Sequence, residues 1–95
     1  MKKLSANILD GKFEHLLDED KLQITHLQIK QGEEVPSHKS DKSVVVVIYN
    51  GKVDFKGENG NQIIIPGDII TMDPNEIHAL KALEDSDLMV IKVKI

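Results

Sequence analysis

Two stretches of this chain hold polar side chains at spacings that a plain apolar strand would not need. In the first, Gly32 is followed after five residues by His38, after one more by Ser40, after three by Val44 and after six by Gly51. In the second, Pro66-Gly67-Asp68 is followed after four residues by Asp73-Pro74-Asn75-Glu76-Ile77-His78. Imidazole is the side chain whose ordinary pKa lies near neutral pH, and its neutral nitrogen is a frequent metal ligand. His38 and His78 could therefore hold a divalent cation, move a proton, or hydrogen-bond a carboxylate, hydroxyl or amide of a small ligand. If the two rings are close they titrate as a coupled pair, and double protonation is disfavoured. The chain has no cysteine, which excludes a thiolate zinc site, a thiol nucleophile and disulfides.

The elements that must position these residues read as short strands. Apolar runs rich in Val and Ile are cut by Gly, Pro and Asn about every ten residues, the texture of an all-β sandwich or barrel. Leu22 to Ile29 alternates with period two and reads as a strand, turned by Gln31-Gly32-Glu33-Glu34. The β-branched run from Ser43 to Tyr49 reads as a strand buried on both faces or nearly so. Asn50-Gly51 signals a tight turn, with Lys52 to Lys56 as the return strand, and Glu58-Asn59-Gly60-Asn61 a second turn. Strands are then expected at Gln62 to Ile65, Ile69 to Met72, Ile77 to Leu83 and Leu88 to Ile95. Residues 1–21 read as an irregular or edge segment preceding a barrel over 22–95.

Bulk composition narrows the partners. A chain of 95 residues is one small domain, which buries a modest core and gains from oligomerisation. The net charge is −4, and only Phe13, Tyr49 and Phe55 are aromatic. Neither a basic stripe nor a stacking platform is present, so nucleic acid is not an expected partner. No stretch is long enough to span a bilayer, and no apolar run follows Met1-Lys2-Lys3-Leu4 before Asn7 and Asp10 interrupt it. No membrane association and a cytoplasmic location are the expectations.

The two spaced segments, in this order and within this texture, resemble the paired motifs of the cupin family. The family's first motif places a glycine, then histidine, histidine, glutamate and glycine at the positions held here by Gly32, His38, Ser40, Val44 and Gly51. Its second places glycine, proline, glycine, histidine and asparagine where this chain has Gly67, Asp73 (the proline is shifted to Pro74), Asn75, His78 and Ala82. The resemblance covers Leu22 to Ile95. It implies an antiparallel double-stranded β-helix, or jelly-roll barrel, and homodimers. It also implies a first-row divalent metal on three histidines and a glutamate, of which only His38 and His78 remain.

Two imidazoles make a weak, exchangeable site for Zn, Fe, Mn or Ni. Val44 puts methyl groups where a carboxylate would neutralise the cation. Glu76, Asp73, Ser40 and His26 are conceivable substitute ligands. Turn carboxylates usually face water, a hydroxyl is a poor ligand, and a lone strand histidine is more often solvent-facing or held by a hydrogen bond. His15 has no evident role. If His38 and His78 face inward, strand parity puts Val44, Val46 and Ile48 on the same interior as Leu80 and Ala82. With Ser40, Val44, Val46, Ile48 and Leu80 as lining residues, the interior would suit a small organic ligand. The expected function is a small-molecule-binding barrel with weak or no metal binding. The alternative is a metal-dependent enzyme of dioxygenase, isomerase or epimerase type, using His38, His78 and a substitute carboxylate.

Overall fold

A computed structural model describes residues 1–9 and 12–94. Nine strands account for its regular structure: β1 (Phe13–Asp18), β2 (Leu22–Ile29), β3 (Glu34–His38), β4 (Ser43–Asn50), β5 (Val53–Gly57), β6 (Gly60–Ile64), β7 (Ile69–Met72), β8 (His78–Ala82) and β9 (Ser86–Val93). They form two antiparallel sheets, β1-β2-β9-β4-β7 and β3-β8-β5-β6, packed face to face as a jelly-roll barrel. Among the described residues no helix is long and apolar enough to cross a membrane.

Alternation along the strands explains the packing. On β4, Val44, Val46 and Ile48 are buried while Ser43, Val45 and Val47 are only half-buried. The run is therefore fully buried on one face only; its outer face is apolar but partly open. Facing it from the other sheet are Phe55 on β5 and Leu80 and Ala82 on β8, with Leu88 of the neighbouring β9 beside Ile48, all buried. Each fully buried aliphatic side chain contributes roughly 1.5–3 kcal/mol from its removal from water.

Asn50-Gly51 does not close a hairpin. β4 pairs with β7 and β9, whereas β5 pairs with β6 and β8. The turn carries the chain from one sheet to the other, over Ser86. A side chain at Gly51, whose φ is 91°, would collide with the Ser86 hydroxyl and the Asp85 carbonyl. Ser86 Oγ accepts from the Lys52 N–H at 3.0 Å and donates to the Glu84 carbonyl at 2.8 Å, fastening the crossing. Glycine is needed here for close approach as well as for its dihedral angle. A hairpin does lie between β5 and β6, with Gly57 opposite Gly60.

Of the irregular and edge readings of the first segment, residues 13–18 take the edge reading, and a strand over 34–38 appears that the sequence did not mark. Residues 13–18 are the edge strand of the larger sheet, paired with β2 through a bulge between His15 and Leu17. β3, unmarked by any apolar run, is the edge strand of the smaller sheet. Its only apolar inward residue near the start is Val35, and its Pro36 fits an edge because it has no N–H to give.

Candidate functional site

The first motif reaches the interior through a defect in β3. Val35 stands opposite Leu80, and His38 opposite His78, with the register shifted between them. In an even strand, residues three apart point to opposite faces; the bulge turns both inward. The imidazole centroids of His38 and His78 are 4.1 Å apart, edge to face. His78 also stacks on Phe55, 5.7 Å away and tilted by 14°.

Backbone carbonyls set the tautomers. His38 Nδ1–H donates to the Pro36 carbonyl at 2.9 Å, and His78 Nδ1–H donates to the Glu76 carbonyl at 3.2 Å. A carbonyl only accepts, so each ring's Nε2 is the nitrogen left over for other partners. Burial lowers the His78 pKa below its ordinary value; the charges of His38 and Lys92 push the same way, against the Glu76 carbonyl. His78 is therefore neutral at pH 7, with a lone pair on Nε2.

The two motif loops are tied together beside this pair. Asn75 N–H donates to the Ser40 carbonyl at 2.7 Å. Asn75 takes a φ of 69°, the left-handed conformation, at the place where the cupin motif has glycine. Asparagine tolerates that region better than most residues, so the substitution preserves the turn.

Both histidines border a cavity of about 310 Å³ inside the barrel. Ser40, Val44, Val46 and Leu80 are among its lining residues. Ile48 is not: it is fully buried at the closed end of the barrel, in the core with Ile29, Val53 and Leu88. Shared parity with Val44 puts it on the right face but four residues too deep. His15, Thr25 and Lys92 line the same cavity and were not anticipated. His15 Nδ1 and Thr25 Oγ1 are 2.9 Å apart across the β1–β2 pair. For Lys92 a signal existed: it shares parity with the inward Leu88 and Val90 on an alternating strand. A lysine in phase with a core face needs a reason.

Of the conceivable substitute ligands Ser40 lines the cavity, whereas His26, Glu76 and Asp73 do not. His26 is 1% exposed and lies on the opposite face of β2, its Nδ1 2.9 Å from Glu14 Oε2 and its Nε2 2.8 Å from Asp87 Oδ1. Burial works against charge on this ring, but the two carboxylates more than offset it and raise its pKa. Glu76 Oε1 accepts from the Asp73 N–H at 3.2 Å, closing its own turn. Glu76 borders a second groove that shares Phe55 and His78 with the cavity, alongside Glu58, and Asp73 lines neither space. Among the described residues no three His, Cys, Asp or Glu side chains converge as a metal group.

A resident divalent cation does not fit these residues. The donor set is two imidazoles, Val44 occupies the carboxylate's place, and the one full charge on the cavity wall is the ammonium of Lys92, paired in register with Val44. A cation there would meet a like charge and no counter-charge.

The fold has many relatives among solved structures. A cupin superfamily protein from Desulfitobacterium hafniense superposes with a TM-score of 0.83 at 18% identity, covering 87% of this chain and 76% of that one. A conserved protein of unknown function from Streptococcus pyogenes gives 0.82 at 23% identity, covering 100% and 96%. The DMSP lyase DddQ from Ruegeria pomeroyi gives 0.78 at 18% identity, covering 87% of this chain and 46% of that one. These likenesses carry the fold alone. No curated protein matches the sequence. The sequence profile of the AraC-like ligand-binding domain matches residues 22–94, which spans both motifs and every strand but β1. With the jelly-roll topology and the cavity between its sheets, that match makes this chain a small cupin of the AraC-like ligand-binding domain family.

Proposed function

We propose that the protein is a non-catalytic binding module that takes one small organic molecule into its barrel. The observation that carries this reading is the interior cavity of about 310 Å³, bordered by residues of both motifs and walled mainly by Val and Leu. Its size lies at the lower end of the range usual for small-ligand sites, and its few polar points suit orientation. Metal binding, in this reading, is weak. The enzymatic alternative needs a third ligand, and the cavity lining offers no carboxylate to serve.

The same reading includes pairing of two copies through the outer face of the larger sheet. There Ile24, Ile91 and Val45 stand side by side, next to Met89 and Val47, all half-exposed. Sedimentation is expected to give a dimer, and Ile91→Lys a monomer.

A thermal-shift screen against small metabolites tests the binding reading. A ligand at a hundred times its Kd stabilises by about 2.7 kcal/mol, which moves the midpoint of a domain this size by on the order of 10 °C. The shift should vanish in Val44→Phe, which fills the cavity. A shift that survives Val44→Phe would place the ligand outside the barrel and defeat the reading.

A further inference from the structure

The charge inside the barrel runs against the charge of the chain. Acidic residues outnumber basic ones, 16 to 12. Yet the cavity lining holds the Lys92 ammonium and three imidazoles, and no carboxylate. Lys92 stands opposite Val44 in the β4–β9 pair, so its neighbour is a hydrocarbon at the very position where a cupin motif would supply glutamate. Among the described residues Lys92 makes no ion pair; the lysines that do are Lys12 and Lys94, both on the outside. Lys92 is half-buried beside an apolar neighbour and has no protein counter-charge among the described residues. An anion arriving in the cavity would supply that counter-charge.

The shape of the positive site limits the anion. The chain contains no arginine, so no planar fork is present to grip phosphate or sulfate from two sides. A single ammonium suits a monoanion. Beyond it the wall is Val46, Leu80 and Val90, which calls for a hydrocarbon body. The same lining holds His38 and His78, whose Nδ1–H bonds to the Pro36 and Glu76 carbonyls leave Nε2 as the acceptor. Acceptors there favour a ligand that also brings a hydroxyl.

We propose that the barrel's ligand is a small organic carboxylate, its anionic end on Lys92, its apolar body among Val46, Leu80 and Val90, and a hydroxyl, where present, donating to His38 or His78. This assignment rests on the binding reading above and names the ligand class for it.

Titration calorimetry with three matched probes tests it on the full chain: 4-methylpentanoate, its amide, and 2-hydroxy-4-methylpentanoate. The carboxylate should bind at least tenfold more tightly than the amide, and the hydroxy acid several-fold more tightly again. Lys92→Met should erase the preference for carboxylate over amide while leaving the weak amide binding in place. Its unfolding midpoint should be unchanged or higher, since an unpaired charge is removed, which separates loss of binding from loss of fold. Equal binding of amide and carboxylate, or a carboxylate preference that persists in Lys92→Met, would overturn the carboxylate assignment and leave the cavity reading standing. Binding of the probes that survives Val44→Phe would defeat the cavity reading itself. No binding of any probe by the wild-type chain would overturn the assignment.

Discussion

His26, on the outer face of the larger sheet, and the His38–His78 pair, on the inner face of the smaller one, are treated in opposite ways. His26 faces outward from β2, yet it is sealed from water, with a carboxylate on each ring nitrogen. Both carboxylates are stabilised as anions. Glu14 is held down to about 2, chiefly by its hydrogen bond with His26 and then by Asn7, and Asp87 is lowered by His26 and Asn50 against the opposing effect of burial. Inside, His38 and His78 each spend one nitrogen on a backbone carbonyl and keep the other uncommitted. The outer cluster has no bonding capacity left over and acts as a clasp between β1, β2 and β9. The inner pair is held in place but unsatisfied, which is the condition of a site awaiting a partner. Charge is the discriminator: the acidic residues are outside, and the cavity wall is cationic.

The largest expected effect comes from reversing that assignment of charge. The double variant Ser40→His, Val44→Glu would put back the two missing ligands beside His38 and His78. Nickel or zinc affinity, measured by titration calorimetry, should rise by at least about 100-fold, which is ~2.8 kcal/mol. Lys92 faces position 44 and would compete with the metal for the new carboxylate. Adding Lys92→Met should therefore tighten metal binding further. If the double variant bound metal no better than the wild type, the cavity's histidines would not be placed as cupin ligands, and the inner half of the comparison would fail.

Next in size is the cost of breaking the clasp. His26→Ala leaves Glu14 and Asp87 near each other without a cation between them, and Gln28 and Asn50 as the remaining partners of Asp87. Removing one member of a buried hydrogen-bonded ion pair is costly; allowing for the partial exposure of the carboxylates, about 2 kcal/mol is expected in urea unfolding. His38→Ala should cost under about 0.5 kcal/mol, because the ring is exposed and gives up one hydrogen bond. A larger loss for His38 than for His26 would reverse the roles drawn for them.

How much of this contrast shows in the sequence depends on range. The motif spacing marks His38 and His78, and period-two alternation marks Val44, Val46 and Leu80 as interior. Ile48 has the same parity as Val44, but depth along the barrel is not written in parity, so it reads as lining when it is core. His26 is invisible as a clasp because Glu14 is 12 residues away and Asp87 is 61 residues away. Only the pairing of β1, β2 and β9 brings them together. Lys92 escaped for a different reason. Its inward phase is legible beside Leu88 and Val90, but a charged residue in a core phase is discounted unless a partner is looked for. The Asn50-Gly51 turn misleads because a hairpin and a crossing between sheets place the same demand on local dihedral angles; Ser86, which separates them, is far away in sequence.

The smallest effect is a pH dependence, and its sign differs on the two sides of a mildly acid plateau. The folded pKa of Glu14 is depressed from 4.5 to about 2. Its contribution to stability is complete above pH 4.5 and fades as the pH falls toward 2. The folded pKa of His26 is raised above 6.5. Its contribution is complete below pH 6.5 and is lost as the pH climbs through the raised value. The groups facing the ring are Glu14 on β1, Asp87 on β9 and Tyr49 on β4, whose own pKa is raised by burial and by those two carboxylates, so it stays neutral throughout this range. The clasp is therefore fully engaged between about pH 4.5 and 6.5, and the unfolding midpoint should be highest there, by a few degrees. In His26→Gln the alkaline limb should disappear and the acid limb shrink to what the Asn7 hydrogen bonds to Glu14 sustain. In a His38→Gln variant both limbs should persist unchanged, since that ring lies on the other sheet. A midpoint that followed His38 instead of His26 would mean the pH response belongs to the cavity, and the separation of clasp from cavity would not hold.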